Sequence, residues 1–176
     1  YKKNKDKKIT IDKMPLNIVH AGEILRFFPN AKFILALRHP YDCVLSCFMQ
    51  NFMLNHAMAN FLNLDDSLRL YDLTMSLWKK YTNVFKIDHH IVRYEDLIYN
   101  FEKTIRDLLK FLKVKWSDNV TEFYKTAEKR GIINTPSYNQ VSQPIYTNSM
   151  YRWKNYKKEF NKSNISLENW VKEFNY

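Results

Sequence analysis

Glycine is nearly missing from this 176-residue chain, which holds only Gly22 and Gly131. Phosphate-cradling loops and tight turns draw on glycine because it enters the left-handed backbone region freely. A chain with two has little material for such loops. Cysteine is as scarce: Cys43 and Cys47 are the only two. They lie four apart on what reads as one helix and suit packed thiols rather than a disulfide framework. A reducing compartment is compatible with that usage, and a cytoplasmic setting is expected. Long apolar runs are absent too; none approaches the roughly 20 residues of a membrane span, and the first residues lack a signal peptide's apolar core. The five histidines form no cluster: His20 and His39 have no neighbour at metal-ligand spacing, and the adjacent His89 and His90 diverge if they sit in a strand. No metal site is expected.

What is present suits a folded protein. Hydrophobic residues make up 45% and charged residues 26%, which argues against global disorder. The length fits one domain with a real core. Lysine and arginine number 28 against 18 aspartates and glutamates, a balance of +10 that favours anionic partners. Much of that excess lies at the two ends. YKKNKDKK, residues 1–8, is expected to be a solvated, flexible basic segment, with the domain proper spanning 9–176. The chain opens on Tyr1 rather than Met, so a preceding stretch is expected.

Periodicity supplies the elements. Ile9 to Asp12 is short and β-branched and reads as a strand; Leu16 to Phe28 carries helical spacing. FILAL, residues 33–37, is a continuous apolar run of the kind found in strands buried on both faces. Pro40 opens a helix whose face is Tyr41, Val44, Leu45, Phe48, Met49 and Phe52. Asp65 and Asp66 are expected to cap a long helix to about residue 86, and a third strand ends near Tyr94. A helix capped by Asn100 follows, then one from Ser117 to Gly131, a long loop over 132–147, and two helices near 148–159 and 166–174, the latter capped by Ser166. A loop that long in a compact domain suggests that it binds something. Alternating strands and helices predict an α/β domain with a parallel sheet and helices on both faces.

Arg38 ends the buried run FILAL, where open parallel sheets place their ligands. Ser46, eight residues on, shares a side of the next helix with Asp42. A guanidinium at the strand end and a hydroxyl on the helix can converge on one tetrahedral anion. Equally, Arg38 can pair with Asp42 to pin the turn while Ser46 bonds back to a carbonyl.

FPNAKFILALRHPYDCVLS resembles the strand, loop and helix with which sulfotransferases hold the 3′-phosphate of their donor, 3′-phosphoadenylyl sulfate (PAPS). IDKMPLN is similar to the family's preceding strand and its lysine, VRYEDL to the segment whose tyrosine lies near the nucleotide, and SYNQVSQPIY with YRWKNY to the C-terminal donor loop of the protein-tyrosine and tetratricopeptide-linked bacterial branches. The resemblance implies a P-loop-type three-layer αβα domain that moves a sulfuryl group from PAPS to a hydroxyl or amine, leaving adenosine 3′,5′-bisphosphate (PAP), without a metal. It implies that Arg38, Ser46, Tyr94 and Arg152 bind the donor, and that Lys13 and Ser137 stabilise charge on the transferring group. Arg152 stands where the tyrosine branch has lysine, which retains charge but changes its geometry. Trp153 reads as a packing anchor rather than an adenine platform, sharing a helical side with Met150 and Tyr156.

Two features of the family have no counterpart here: the glycine-containing loop that cradles the 5′-phosphosulfate, and a catalytic base, which the resemblance places upstream in the tyrosine branch or two residues after the lysine in the cytosolic branch, where this sequence has Pro15. The expected sheet is correspondingly thin, and the domain is expected to be incomplete at its N-terminus. Two rival readings stand beside the enzyme. A degenerate, non-catalytic interaction domain would keep the fold without responding to the donor. A nucleic-acid-binding module would explain the charge, but its aromatics should lie exposed along a basic stripe, whereas here they occupy apolar faces; no nucleic acid partner is expected. The sequence leaves no trace of oligomeric state or of the acceptor's identity.

Overall fold

The computed structural model describes residues 9–122 and 149–176. Its centre is a pair of parallel strands, β1 (Phe33–Leu37) and β2 (His89–Arg93), in register from Phe33 opposite His89 to Leu37 opposite Arg93. The crossover between them carries α2 (Pro40–Phe48) and α3 (Leu64–Phe85). Ahead of β1 lie a 3₁₀ turn (Pro15–His20) and α1 (Ala21–Phe27). After β2 come α4 (Tyr94–Tyr99) and α5 (Phe101–Leu112). The C-terminal stretch adds a 3₁₀ turn (Arg152–Tyr156), α6 (Lys157–Phe160) and α7 (Glu168–Glu173).

Burial explains the arrangement. Leu35 packs with Trp78 of α3, Ala21 of α1 and Ile87 in one core cluster, and Phe33 lies 6.2 Å from the Trp78 ring. Leu37 joins a second cluster with Tyr41, Val44 and Leu45 of α2, Leu68, Tyr71 and Met75 of α3, and Phe160, Leu167 and Trp170 from the C-terminal stretch. α5 meets β2 through the stacked rings of Phe111 and His90, 5.3 Å apart. Gly22 lets α1 approach α3: a Cβ there would stand 2.8 Å from the Tyr81 ring. Tyr81 is itself tethered by its hydroxyl, which donates to the Val19 carbonyl at 3.1 Å.

Several expected elements differ. Residues 9–12 form no strand; they are exposed and irregular, lacking any neighbour strand among the described residues to take up their backbone groups. The described sheet therefore has two strands. α2 ends at Phe48, and Phe52 leaves the helical face to pack on Phe61 at 5.4 Å. Asn63, not Asp65 or Asp66, caps α3: its side chain accepts from both of their amides. Asn100 stands at the cap position of α5 but makes no side-chain cap bond. β2 stops at Arg93, so Tyr94, Glu95 and Asp96 form the first turn of α4 rather than the end of a strand. Asp118–Val120 is a single 3₁₀ turn; the rest of the helix expected to Gly131, and the loop over 132–147, lie outside the described residues, as does the segment 1–8. Of the helix expected near 148–159, the described residues from 149 on hold a 3₁₀ turn and a short helix, and Ser166 accepts from the Glu168 amide at 3.3 Å. Among the described residues, no helix is long and apolar enough to cross a membrane.

Candidate functional site

The carboxyl ends of β1 and β2 bring the candidate residues together. Arg38 leaves β1 half-buried, and its Nη2 donates to the carbonyl oxygen of Ser149, a contact 111 residues long in sequence. Its guanidinium lies 5.2 Å from the centre of the Tyr94 ring. Its buried Nε–H has no acceptor among the described residues. Arg38 and Tyr94, singled out separately in the sequence, are thus neighbours, because the parallel register aligns Leu37 with Arg93. Pairing of Arg38 with Asp42 does not occur: the buried Asp42 instead accepts the Trp153 amide through Oδ1 at 2.8 Å.

Ser46 lies one turn after Asp42, exposed on α2; no hydrogen bond joins it to Arg38 among the described residues. Arg152 is exposed at the start of its 3₁₀ turn, three residues beyond the carbonyl that Arg38 grips. Tyr151 before it holds a left-handed conformation, φ 53°, a strained position for a bulky residue. Lys13 is exposed in the irregular segment ahead of the first 3₁₀ turn, not at the end of a strand. Ser137 lies outside the described residues.

Two residues not among the expected donor-site residues are central to this corner. Glu95, 4% exposed, accepts the His39 amide through Oε1 at 3.1 Å and the Tyr176 hydroxyl through Oε2 at 2.7 Å. His39, also 4% exposed, stacks on Trp153 at 5.1 Å and meets the Tyr176 ring edge-on at 5.1 Å. Burial lowers the His39 pKa from 6.5, outweighing the nearby Asp42 and Glu95 carboxylates. Trp153 also stacks on Tyr41 at 4.9 Å, in keeping with a packing anchor. The only hint of His39 was its place between Arg38 and Pro40; Glu95 gave none, since its partners lie 56 and 81 residues away.

Cys43 and Cys47 are free thiols on α2. Interaction with Cys47, then burial, raises the Cys43 pKa, while the bond from Cys43 lowers that of Cys47, with the Arg38 charge adding to the effect. Among the described residues no group of three or more His, Cys, Asp or Glu could hold a metal ion.

The fold and the site define an α/β protein with a half-buried arginine at the carboxyl end of its parallel strands. Comparison with known proteins supplies the family: residues 1–118 match the model described as "Sulfotransferase family", and the chain belongs to that family. An uncharacterized protein of Aquifex aeolicus (strain VF5) is 34% identical over 84% of this chain and 19% of its own length. Protein-tyrosine sulfotransferase 2 of Gallus gallus is 25% identical over 81% of the chain and 39% of its own length. Protein-tyrosine sulfotransferase 1 of Danio rerio is 26% identical over 81% and 41%. The chain spans less than half the length of these relatives.

Proposed function

We propose that this chain carries the donor-nucleotide half of a sulfotransferase site, in which a sulfuryl group passes from PAPS to a hydroxyl or amine acceptor. The observation that carries the reading is Arg38: a half-buried guanidinium at the carboxyl end of a parallel strand, with a buried Nε–H that no described residue accepts. That donor set suits a phosphate, which presents several acceptor oxygens to a planar fork. Family membership and the protein-tyrosine sulfotransferases among the relatives support it.

In this reading Arg38, Ser46 and Arg152 grip the 3′-phosphate side of the nucleotide, with Tyr94 against it. Lys13 and Ser137 stabilise charge on the transferring group. The chain's contribution is positioning and fixed electrostatics, which lower the barrier without covalent participation. The domain in this reading is a P-loop-type three-layer αβα unit over 9–176.

Calorimetric titration with PAP tests the donor site. Arg38→Ala and Ser46→Ala should each weaken binding, Arg38→Ala by about 10- to 100-fold, the worth of a charged hydrogen bond. Binding by the unsubstituted chain that neither substitution disturbs would overturn the assignment of these residues. No binding to a folded chain would favour a domain that has kept the fold without the donor.

A further inference from the structure

Arg38 and Arg152 share a feature that their own side chains do not show. The main-chain amide of the residue after each is held by a buried carboxylate: His39 N by Glu95 Oε1 at 3.1 Å, Trp153 N by Asp42 Oδ1 at 2.8 Å. Both carboxylates are nearly inaccessible, at 4% and 1% exposure, and neither forms an ion pair among the described residues.

Burying a carboxylate without a cation is costly, and a negative charge beside an anion site opposes the ligand. Two of them at a phosphate clamp therefore need a compensating role. The contacts define it. Residues 38–42 and 149–153 are joined by two rungs, Arg38 Nη2 to the Ser149 carbonyl and Trp153 N to Asp42 Oδ1. Together they fix the 3₁₀ turn that begins at Arg152 against the start of α2. Glu95 adds a third rung, from the first turn of α4 to His39, two residues past β1, and is itself held by Tyr176.

We propose that Asp42 and Glu95 are positioning residues for the donor clamp: they hold the backbone beside Arg152 and Arg38 so that both guanidinium groups are set for the 3′-phosphate before it arrives. The proposal rests on the donor reading above. It concerns preorganisation, in which fixed acceptors hold the chain and the arginines remain available for the ligand.

The test is the ratio of affinities for PAP and adenosine 5′-monophosphate, which differ by the 3′-phosphate. General destabilisation lowers both affinities alike, whereas a misplaced clamp lowers the ratio. Asp42→Ala and Glu95→Ala should cut the ratio about ten-fold, the worth of one well-placed phosphate contact, while Asp42→Asn and Glu95→Gln, which keep an acceptor oxygen, should restore most of it. Asp42→Val and Glu95→Met fill more of the vacated space and serve if the alanine variants do not fold. A ratio unchanged in folded apolar variants, with discrimination intact in the unsubstituted chain, overturns the positioning role alone. A fall of equal size in the Asn and Gln variants also overturns it, because the acceptor oxygen would not be the cause. An unsubstituted chain that holds both nucleotides equally overturns the donor reading, and the clamp proposal with it.

Discussion

At the scale of single residues, the corner behind Arg38 makes stability depend on pH through His39. Its ring is buried among Trp153, Tyr41 and Tyr176, and desolvation lowers its pKa from 6.5. A depressed histidine pKa means that the unfolded chain binds more protons than the folded one once pH falls below about 6.5, so this residue favours unfolding in acid. Urea midpoints measured at pH 5.5 and 7.5 should show a loss at the lower pH that shrinks in His39→Phe, which keeps a ring in the stack but cannot titrate. An equal pH dependence in both proteins would show that His39 is not the group responsible. Sequence alone pointed to Arg38 and Tyr94, since a strand end and a motif each mark a position. It did not reveal His39 or Glu95, whose importance arises from partners brought from more than 50 residues away. A buried polar residue is recognised by its surroundings, and those are a property of the fold.

At the scale of elements, the 22-residue α3 shows what periodicity reveals and what it conceals. Its apolar residues divide: Trp78 is 7% exposed in the core beside Leu35, whereas Leu73 and Val84 are 60% and 70% exposed. Its start was read from Asp65 and Asp66, yet the cap is Asn63, whose single Oδ1 accepts from both aspartate amides at 2.8 and 3.3 Å. Two acidic residues in a first turn complement the helix dipole wherever the cap falls, so charge could not fix the boundary. Asn63→Ala should therefore cost about 1 kcal/mol, whereas Asp65→Asn should cost only about 0.3–1 kcal/mol and less in high salt. Denaturant midpoints at two ionic strengths distinguish the two, and a larger, salt-sensitive loss at Asp65 would return the cap to the aspartates. The misread strand at 9–12 has a related origin: β-branched residues favour a strand only where a neighbour accepts the ladder, and the described residues supply none there.

At the scale of the whole molecule, the family match covers residues 1–118, but the core does not stop there. Phe160, Leu167 and Trp170, at 5%, 0% and 8% exposure, pack into the cluster that holds Leu37, Tyr41 and Leu68. The Trp170 indole also donates to Asp72 of α3 at 2.7 Å, and the Tyr41 hydroxyl accepts the Leu167 amide at 3.1 Å. Removing residues 149–176 would expose this face of α2 and α3 and strip Asp42 and Glu95 of their hydrogen-bond donors from the C-terminal stretch. Each lost Phe, Leu or Trp is worth about 2–5 kcal/mol when truncated singly, and Asp42, left without its Trp153 donor, adds roughly 1–3 kcal/mol. Against a typical domain stability of about 5–15 kcal/mol, those losses exceed what the remainder can absorb. A chain ending at residue 148 should accordingly lack a cooperative urea transition and lose the near-ultraviolet circular dichroism of its packed aromatics. A sharp transition near the midpoint of the full chain would show instead that the matched region folds alone, and that the C-terminal stretch serves the arginine corner without sustaining the core.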